Sequence, residues 1–235
     1  MKIRLKKIYN FLLDLIFPVY CLGCQKEGFW ICDDCFDKIK INDKLVCPVC
    51  KKEEKQGRVC DKCQNLTFLN GLWIASDYNE EIVKKSIHTL KYQFAFDIAE
   101  TAAKILVEFI KKHQFILKNN FIIAPIPLHK KRFLWRGFNQ SELLARELTK
   151  NFSFLLSTNN LIRKRYTRAQ AELDKKDREN NIKNAFFIKK PLEFSGKSVI
   201  LIDDVYTTGS TMNECAKVLK QAGVKEVWGL VIARG

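Results

Sequence analysis

Two groups of residues in this chain have the types and spacing to do chemistry. The first is eight cysteines in four C-x-x-C pairs: Cys21 with Cys24, Cys32 with Cys35, Cys47 with Cys50, and Cys60 with Cys63. A C-x-x-C knuckle sets two thiolates on one side of a tight turn, and two knuckles complete a tetrahedral Zn²⁺ site. Four knuckles therefore allow one or two structural zinc sites. Sequential and interleaved pairing both satisfy the spacing, and the short gaps within each half favour sequential pairing. The second group is Asp203 and Asp204 followed by Thr207-Thr208-Gly209-Ser210-Thr211. A turn of this composition leading into a helix offers an anion backbone N–H groups, hydroxyls and the positive end of the helix dipole. Gly209 lets the backbone approach that anion without a Cβ in the way. Two carboxylates repel phosphate, so they need another partner: vicinal sugar hydroxyls, or a Mg²⁺ ion bridging them. Together these residues point to a phosphorylated ribose.

Such groups must be held by regular elements. Val199-Ile200-Leu201-Ile202 is a continuous apolar run, which fits a strand buried on both faces of a parallel sheet. It puts the acids at the carboxyl end, where open α/β sheets place ligands, and a helix follows through Met212 to Gln221. Further strands are expected at Leu72–Ala75, Phe121–Ala124, Leu161–Arg163 and Glu226–Ala233, with helices over 79–93, 97–113 and 139–150. The alternation predicts an α/β fold with a doubly wound parallel sheet. On the 79–93 helix, His88 reads as a packed side chain and Lys91 as a surface lysine. The basic, polar stretch after Arg163 fits a mobile loop closing over a ligand and excluding water. Arg163, Arg165, Thr167, Arg168 and Gln170 are its candidate contacts.

The totals fit this reading. A chain of 235 residues can hold one good-sized core and a small satellite module. The domains expected are an N-terminal amphipathic helix at 1–20, a double zinc-ribbon-like module at 21–66, and an α/β domain at 71–235. The N-terminus resembles a signal peptide, but Asn10 and Asp14 interrupt its apolar stretch and no small-residue cleavage site follows. No run approaches the roughly 20 apolar residues of a membrane span. Cysteine pairs of this kind argue for metal rather than disulfides. The net charge of +15 is concentrated in residues 125–190, with sixteen Lys and Arg against six Asp and Glu. A segment like that suits a pyrophosphate or a nucleic-acid backbone.

The run from Val199 through Thr211 resembles the fingerprint of the phosphoribosyltransferases: apolar strand, two acids, two residues, then T-T-G-S-T. The resemblance implies a type I phosphoribosyltransferase sheet. In it Asp203 and Asp204 hold the ribose hydroxyls of phosphoribosyl pyrophosphate, with Mg²⁺, as the catalytic acids. Thr207, Thr208, Gly209, Ser210 and Thr211 hold the 5′-phosphate. Pro127, Leu128, His129 and Lys130 look like the family's pyrophosphate loop, with Arg163 and Arg165 as further contacts. A cysteine-rich ribbon directly upstream, the string PIPLHKKRFLWRGFNQSELLAREL, the string LIRKRYTRAQAEL and a terminal ARG narrow this further. Together they resemble the ComF family of natural transformation and DNA uptake. That resemblance implies a cytoplasmic protein that contacts single-stranded DNA and works with competence or recombination proteins. Lys130, Lys131, Arg132 and Arg136, with Phe133, Trp135 and Phe138 among them, suit backbone contact and base stacking, and the aromatics fit a core equally well.

Three functions compete at this level: a ligand-binding competence protein that contacts DNA, an active transferase releasing pyrophosphate, and a non-catalytic sensor of nucleotide pools. A transferase needs a hood over its base. The sequence ends at Gly235, directly after the last strand, so the hood is expected from residues 64–118 or from the ribbon.

Overall fold

Each apolar run forms a strand because both of its faces find a core. The computed structural model describes residues 18–92, 97–118, 120–166 and 181–235. Five strands make one all-parallel sheet: β1 (Gly71–Asp77), β2 (Phe121–Pro125), β3 (Leu155–Leu156), β6 (Ser198–Tyr206) and β7 (Glu226–Arg234). Their order is β1-β7-β6-β2-β3. Along β6, Ile200 and Ile202 enter one apolar cluster, while Val199 and Leu201 enter another on the opposite face. Helices α2 (Glu81–Tyr92), α3 (Ile98–Lys112) and α5 (Gln140–Asn151) cover the first face. Helix α6 (Ser210–Gln221) covers the second with Met212, Cys215, Ala216 and Leu219. Both faces are wound, as the alternation of elements requires.

The cysteine module, with its short helix α1 (Asp33–Phe36), covers the open edge of β1. Asn42 N donates to Ala75 O at 2.9 Å, and its side chain donates to Ile74 O at 2.9 Å. Ser76 Oγ donates to Lys40 O, and Trp73 Nε1 to Gln56 O. An uncovered strand edge invites pairing with another chain, and here those groups are satisfied internally.

Three expectations need correction. Leu161–Arg163 is a strand, β4, but it lies outside the main sheet and pairs antiparallel with β5 (Phe186–Ile188). The edge position beside β2 is taken by Leu155–Leu156 instead. The chain then crosses faces: Leu156 packs on the first cluster, whereas Leu161, Phe186 and Ile188 belong to the second. The run after β2 was expected as a loop, yet Lys130–Arg136 forms helix α4, capped by His129. His88 is exposed, and Lys91 is drawn inward. The helix at 1–20 lies almost entirely outside the described residues, as do Thr167, Arg168 and Gln170.

Candidate functional site

The strand order reverses between β2 and β6. Beyond β2 the chain passes through α5 to β3 on one side, and beyond β6 it passes through α6 to β7 on the other. Open α/β sheets bind ligands in the crevice that such a reversal opens. Here that crevice is a cavity of about 470 Å³. Its lining includes Asp203, Asp204, Thr207, Gly209 and Thr211 from one loop, and Pro127, Leu128 and Arg132 from the other. Lys91, Arg136, Ser141 and Arg163 complete it.

The acid pair lies near the carboxyl end of strand β6. Asp204 is 3% exposed and pairs with Lys91, Nζ to Oδ2, at 2.9 Å. Asp203 accepts from Ser141 Oγ at 2.8 Å and from the Asp204 N–H at 3.0 Å. Burial, and then the neighbouring Asp204 charge, push Asp203 up to about 7, with the Ser141 bond and Lys91 opposing them. Burial alone would lower the Lys91 ammonium, but Asp204 beside it holds it above the ordinary lysine value. Lys91 was read from sequence as a surface lysine, and Ser141 was not singled out. A signal existed for both. Lys91 lies four residues after Ile87 on the face that buries Val83, Ile87 and Leu90. Ser141 falls in the first turn of a helix capped by Asn139, which accepts from Ser141 N at 3.2 Å.

Gly209 is the N-cap of α6, with φ +77°. A Cβ there would lie 2.2 Å from Tyr206 Oη, so only glycine fits beneath that ring. Thr208 Oγ1 and Ser210 Oγ are 2.9 Å apart, and Asn213 N donates to Gly209 O at 2.8 Å. Hydroxyls and the first N–H groups of a twelve-residue helix thus converge on one turn.

The expected cations divide. Arg132, Arg136 and Arg163 face the cavity. Arg136 is 8% exposed and bonds Gln140, which corrects its assignment to a nucleic-acid surface. Arg163 lies over the Phe186 ring at 5.5 Å and is brought down to about 10, mainly by burial and then by Arg132. Its place over the cavity comes from a bridge between His129 and Arg163. His129, Lys130 and Arg165 do not line the cavity. His129 Nδ1 accepts from Lys131 N at 3.2 Å, and Arg165 donates to the carbonyls of Asn181 and Lys183. Lys130 and Lys131 project outward on α4 beside Phe133 and Trp135, 44% and 63% exposed. Phe138, at 4%, is core.

The thiols gather sequentially, Cys21, Cys24, Cys32 and Cys35 in one group and Cys47, Cys50, Cys60 and Cys63 in the other, with ligand atoms within 4.8 Å. Cys24 and Cys32 are 3.6 Å apart, and Cys50 and Cys60 are 3.7 Å apart. Sulfurs at about 2.3 Å from a tetrahedral zinc stand about 3.8 Å from each other, so both sets fit the ion.

Residues 12–64 match the family described as a double zinc ribbon domain, and residues 136–234 match the phosphoribosyl transferase domain. Competence protein F of Haemophilus influenzae is 35% identical over 91% of this chain and 90% of its own. The chain belongs to the ComF family. Other relatives of this ComF-family chain are the DNA utilization protein YhgH of Escherichia coli K12 and competence protein ComFC of Streptococcus pneumoniae R6. The first is 31% identical over 92% of this chain and 98% of its own, the second 32% over 86% and 87%. Among solved structures, a purine phosphoribosyltransferase from Pyrococcus horikoshii aligns over 58% of the chain and 82% of its own, at 17% identity and a TM-score of 0.35. Among the described residues, no helix is long and apolar enough to cross a membrane.

Proposed function

We propose that this ComF-family protein binds phosphoribosyl pyrophosphate with Mg²⁺ in the switch-point cavity and contacts single-stranded DNA across the outer face of α4. The observation that carries the first part is the polarity of the cavity. Its lining brings together the Asp203–Asp204 acid pair, Thr207, Gly209 and Thr211 of an anion-binding turn, and the guanidinium groups of Arg132, Arg136 and Arg163. A ribose bearing phosphates at two positions needs hydroxyl acceptors and two anion-binding groups, and this lining supplies both kinds. Asp203 and Asp204 would hold the ribose hydroxyls together with Mg²⁺, an ion that neutralises pyrophosphate charge when bound. The N–H groups from Thr207 to Thr211 would take the 5′-phosphate. Ser141 and Lys91 hold the carboxylates in place until a ligand arrives.

The second part is supported by Lys130, Lys131, Phe133 and Trp135 standing exposed on one short helix. Cationic side chains beside aromatic faces suit a single-stranded backbone and its unpaired bases. Eight thiols held for metal suit a reducing, cytoplasmic location.

Calorimetric titration with phosphoribosyl pyrophosphate and Mg²⁺ tests the first part, using wild type and the Asp203→Ala, Asp204→Ala double variant. Binding lost in the variant supports the reading, and no binding in the wild type sinks it. For the second part, a fluorescent oligonucleotide is titrated against wild type and a Phe133→Ala, Trp135→Ala variant over a range of salt. An unchanged affinity would move the DNA contact off α4.

A further inference from the structure

The phosphate turn has a second side. Away from the cavity it borders a groove of about 870 Å³, across which Pro48 and Val49 of a cysteine knuckle face Thr208 and Arg234. Arg234 spans the gap. Its Nη2 donates to Pro48 O at 3.1 Å, and its guanidinium lies over the Tyr206 ring at 5.4 Å. The sheet fixes this arrangement, since Tyr206 and Arg234 are register partners on β6 and β7. Gly235 N also donates to Tyr206 O at 3.1 Å. The Tyr206 ring in turn fills the space where a Gly209 side chain would stand. Pro48 lies between Cys47 and Cys50, two thiols of the second tetrad. A continuous series of contacts therefore runs from that tetrad through Arg234 and Tyr206 to the phosphate turn.

The first tetrad is joined to the domain elsewhere. Cys21, Cys32 and Cys35 are packed in the apolar cluster of the opposite face, and the knuckle meets α2 through Lys85 Nζ and Leu22 O at 3.4 Å. The two metal sites thus support different parts of the domain.

We propose that Arg234 is a positioning residue joining the second tetrad to the phosphate turn, so that metal in that tetrad strengthens binding of a phosphate ester at the turn. With the knuckle ordered by metal, the Pro48 carbonyl is a fixed acceptor. Arg234 then clamps Tyr206, and the ring holds the turn in its left-handed start. Without the metal, that carbonyl moves, Arg234 loses its anchor and the turn loosens. This rests on the phosphoribosyl pyrophosphate reading of the cavity.

The test measures zinc content and calorimetric affinity for phosphoribosyl pyrophosphate with Mg²⁺ in four full-length proteins: wild type, Cys50→Ser, Arg234→Met and the double variant. A guanidinium-to-carbonyl bond is a charge-assisted one, so each single change is expected to weaken binding by about tenfold. Arg234→Met should keep its full zinc content, which separates its effect from metal loss. The double variant should bind no more weakly than Cys50→Ser, because both changes break one path. Wild-type affinity in either single variant, or losses that multiply in the double variant, would overturn the proposal. Should Arg234→Met fail to fold, Arg234→Lys decides. It keeps the charge without the flat fork, so a loss of about threefold is expected, and no loss overturns the proposal. Absence of binding in the wild type removes the cavity reading, and this proposal with it. Normal wild-type binding that is insensitive to Cys50 and Arg234 removes this proposal alone.

Discussion

Replacing Lys91 by methionine removes the ammonium that faces Asp204 and keeps most of the side chain's bulk. Asp204 is 3% exposed and adjoins a second carboxylate, so the change leaves two acids in a site built for one counter-charge. Breaking a buried pair by removing one partner costs about 3–5 kcal/mol. A quarter of the Lys91 side chain remains accessible, which favours the lower end, about 3 kcal/mol. At about 2–4 °C per kcal/mol for a chain of this size, melting should fall by roughly 6–12 °C. The loss depends on pH. With Lys91 gone, Asp203 should titrate above its present value of about 7, itself well above the ordinary carboxylate value of 3.8. A carboxyl whose folded pKa is raised contributes stability below its unfolded value and loses it as pH rises towards the folded value. The deficit should therefore be small near pH 5 and grow as pH rises above 7. Thermal melts of both proteins at several pH values measure it. Added Mg²⁺ should recover more of the variant's loss than it adds to wild type, because the ion replaces the missing charge. Equal melting at pH 8, or a deficit larger in acid than in base, would refute the reasoning.

Asp203 must be ionised to meet a cation, so affinity for phosphoribosyl pyrophosphate with Mg²⁺ should rise between pH 6 and 8, by at most about tenfold per unit. Calorimetry in buffers of different ionisation enthalpy should show proton release, and a flat profile would contradict the raised value. Gly209→Ala puts a Cβ into the Tyr206 ring at φ +77°. It should cost about 1–3 kcal/mol in stability and weaken ligand binding sharply, as read by thermal melts and titration. Cys24→Ser should lower the melting temperature more than Cys50→Ser, because its tetrad partners Cys21, Cys32 and Cys35 belong to the main apolar cluster. Equal losses would argue against that division.

Elements buried on both faces were the most legible in the sequence. Val199–Ile202 and Phe121–Ala124 have no polar residue to interrupt them, because each strand has core on either side. The acids and the T-T-G-S-T turn could be read for the same reason: their chemistry sits in adjacent residues. Leu161–Arg163 looks as strand-like as Leu155–Leu156, and what separates them is the face each one packs on, which three residues cannot encode. Lys91 was read as a surface lysine and Ser141 was missed because each reaches the acids from a different helix, and only the folded chain brings Lys91 to Asp204 and Ser141 to Asp203. Arg136 was placed on a surface and Phe138 was left open between surface and core, and the turn at Gly137, with φ +82°, folds both inward.

On the proposed function, the same arrangement would separate the two partners in space. A nucleic-acid backbone is uniformly anionic, and a path through the cavity would carry it past Asp203 and Asp204, where at neutral pH it meets repulsion. A phosphorylated ribose with Mg²⁺ brings positive charge and hydroxyls to those acids and keeps its phosphates at the ends. Helix α4 has one side for each partner. Arg132 and Arg136 turn into the cavity, while Lys130, Lys131, Phe133 and Trp135 turn out to solvent. A seven-residue helix that presents both surfaces moves them together. On the proposed function, ligand in the cavity should therefore alter DNA affinity through α4 rather than compete for one site, which oligonucleotide titration with and without phosphoribosyl pyrophosphate measures.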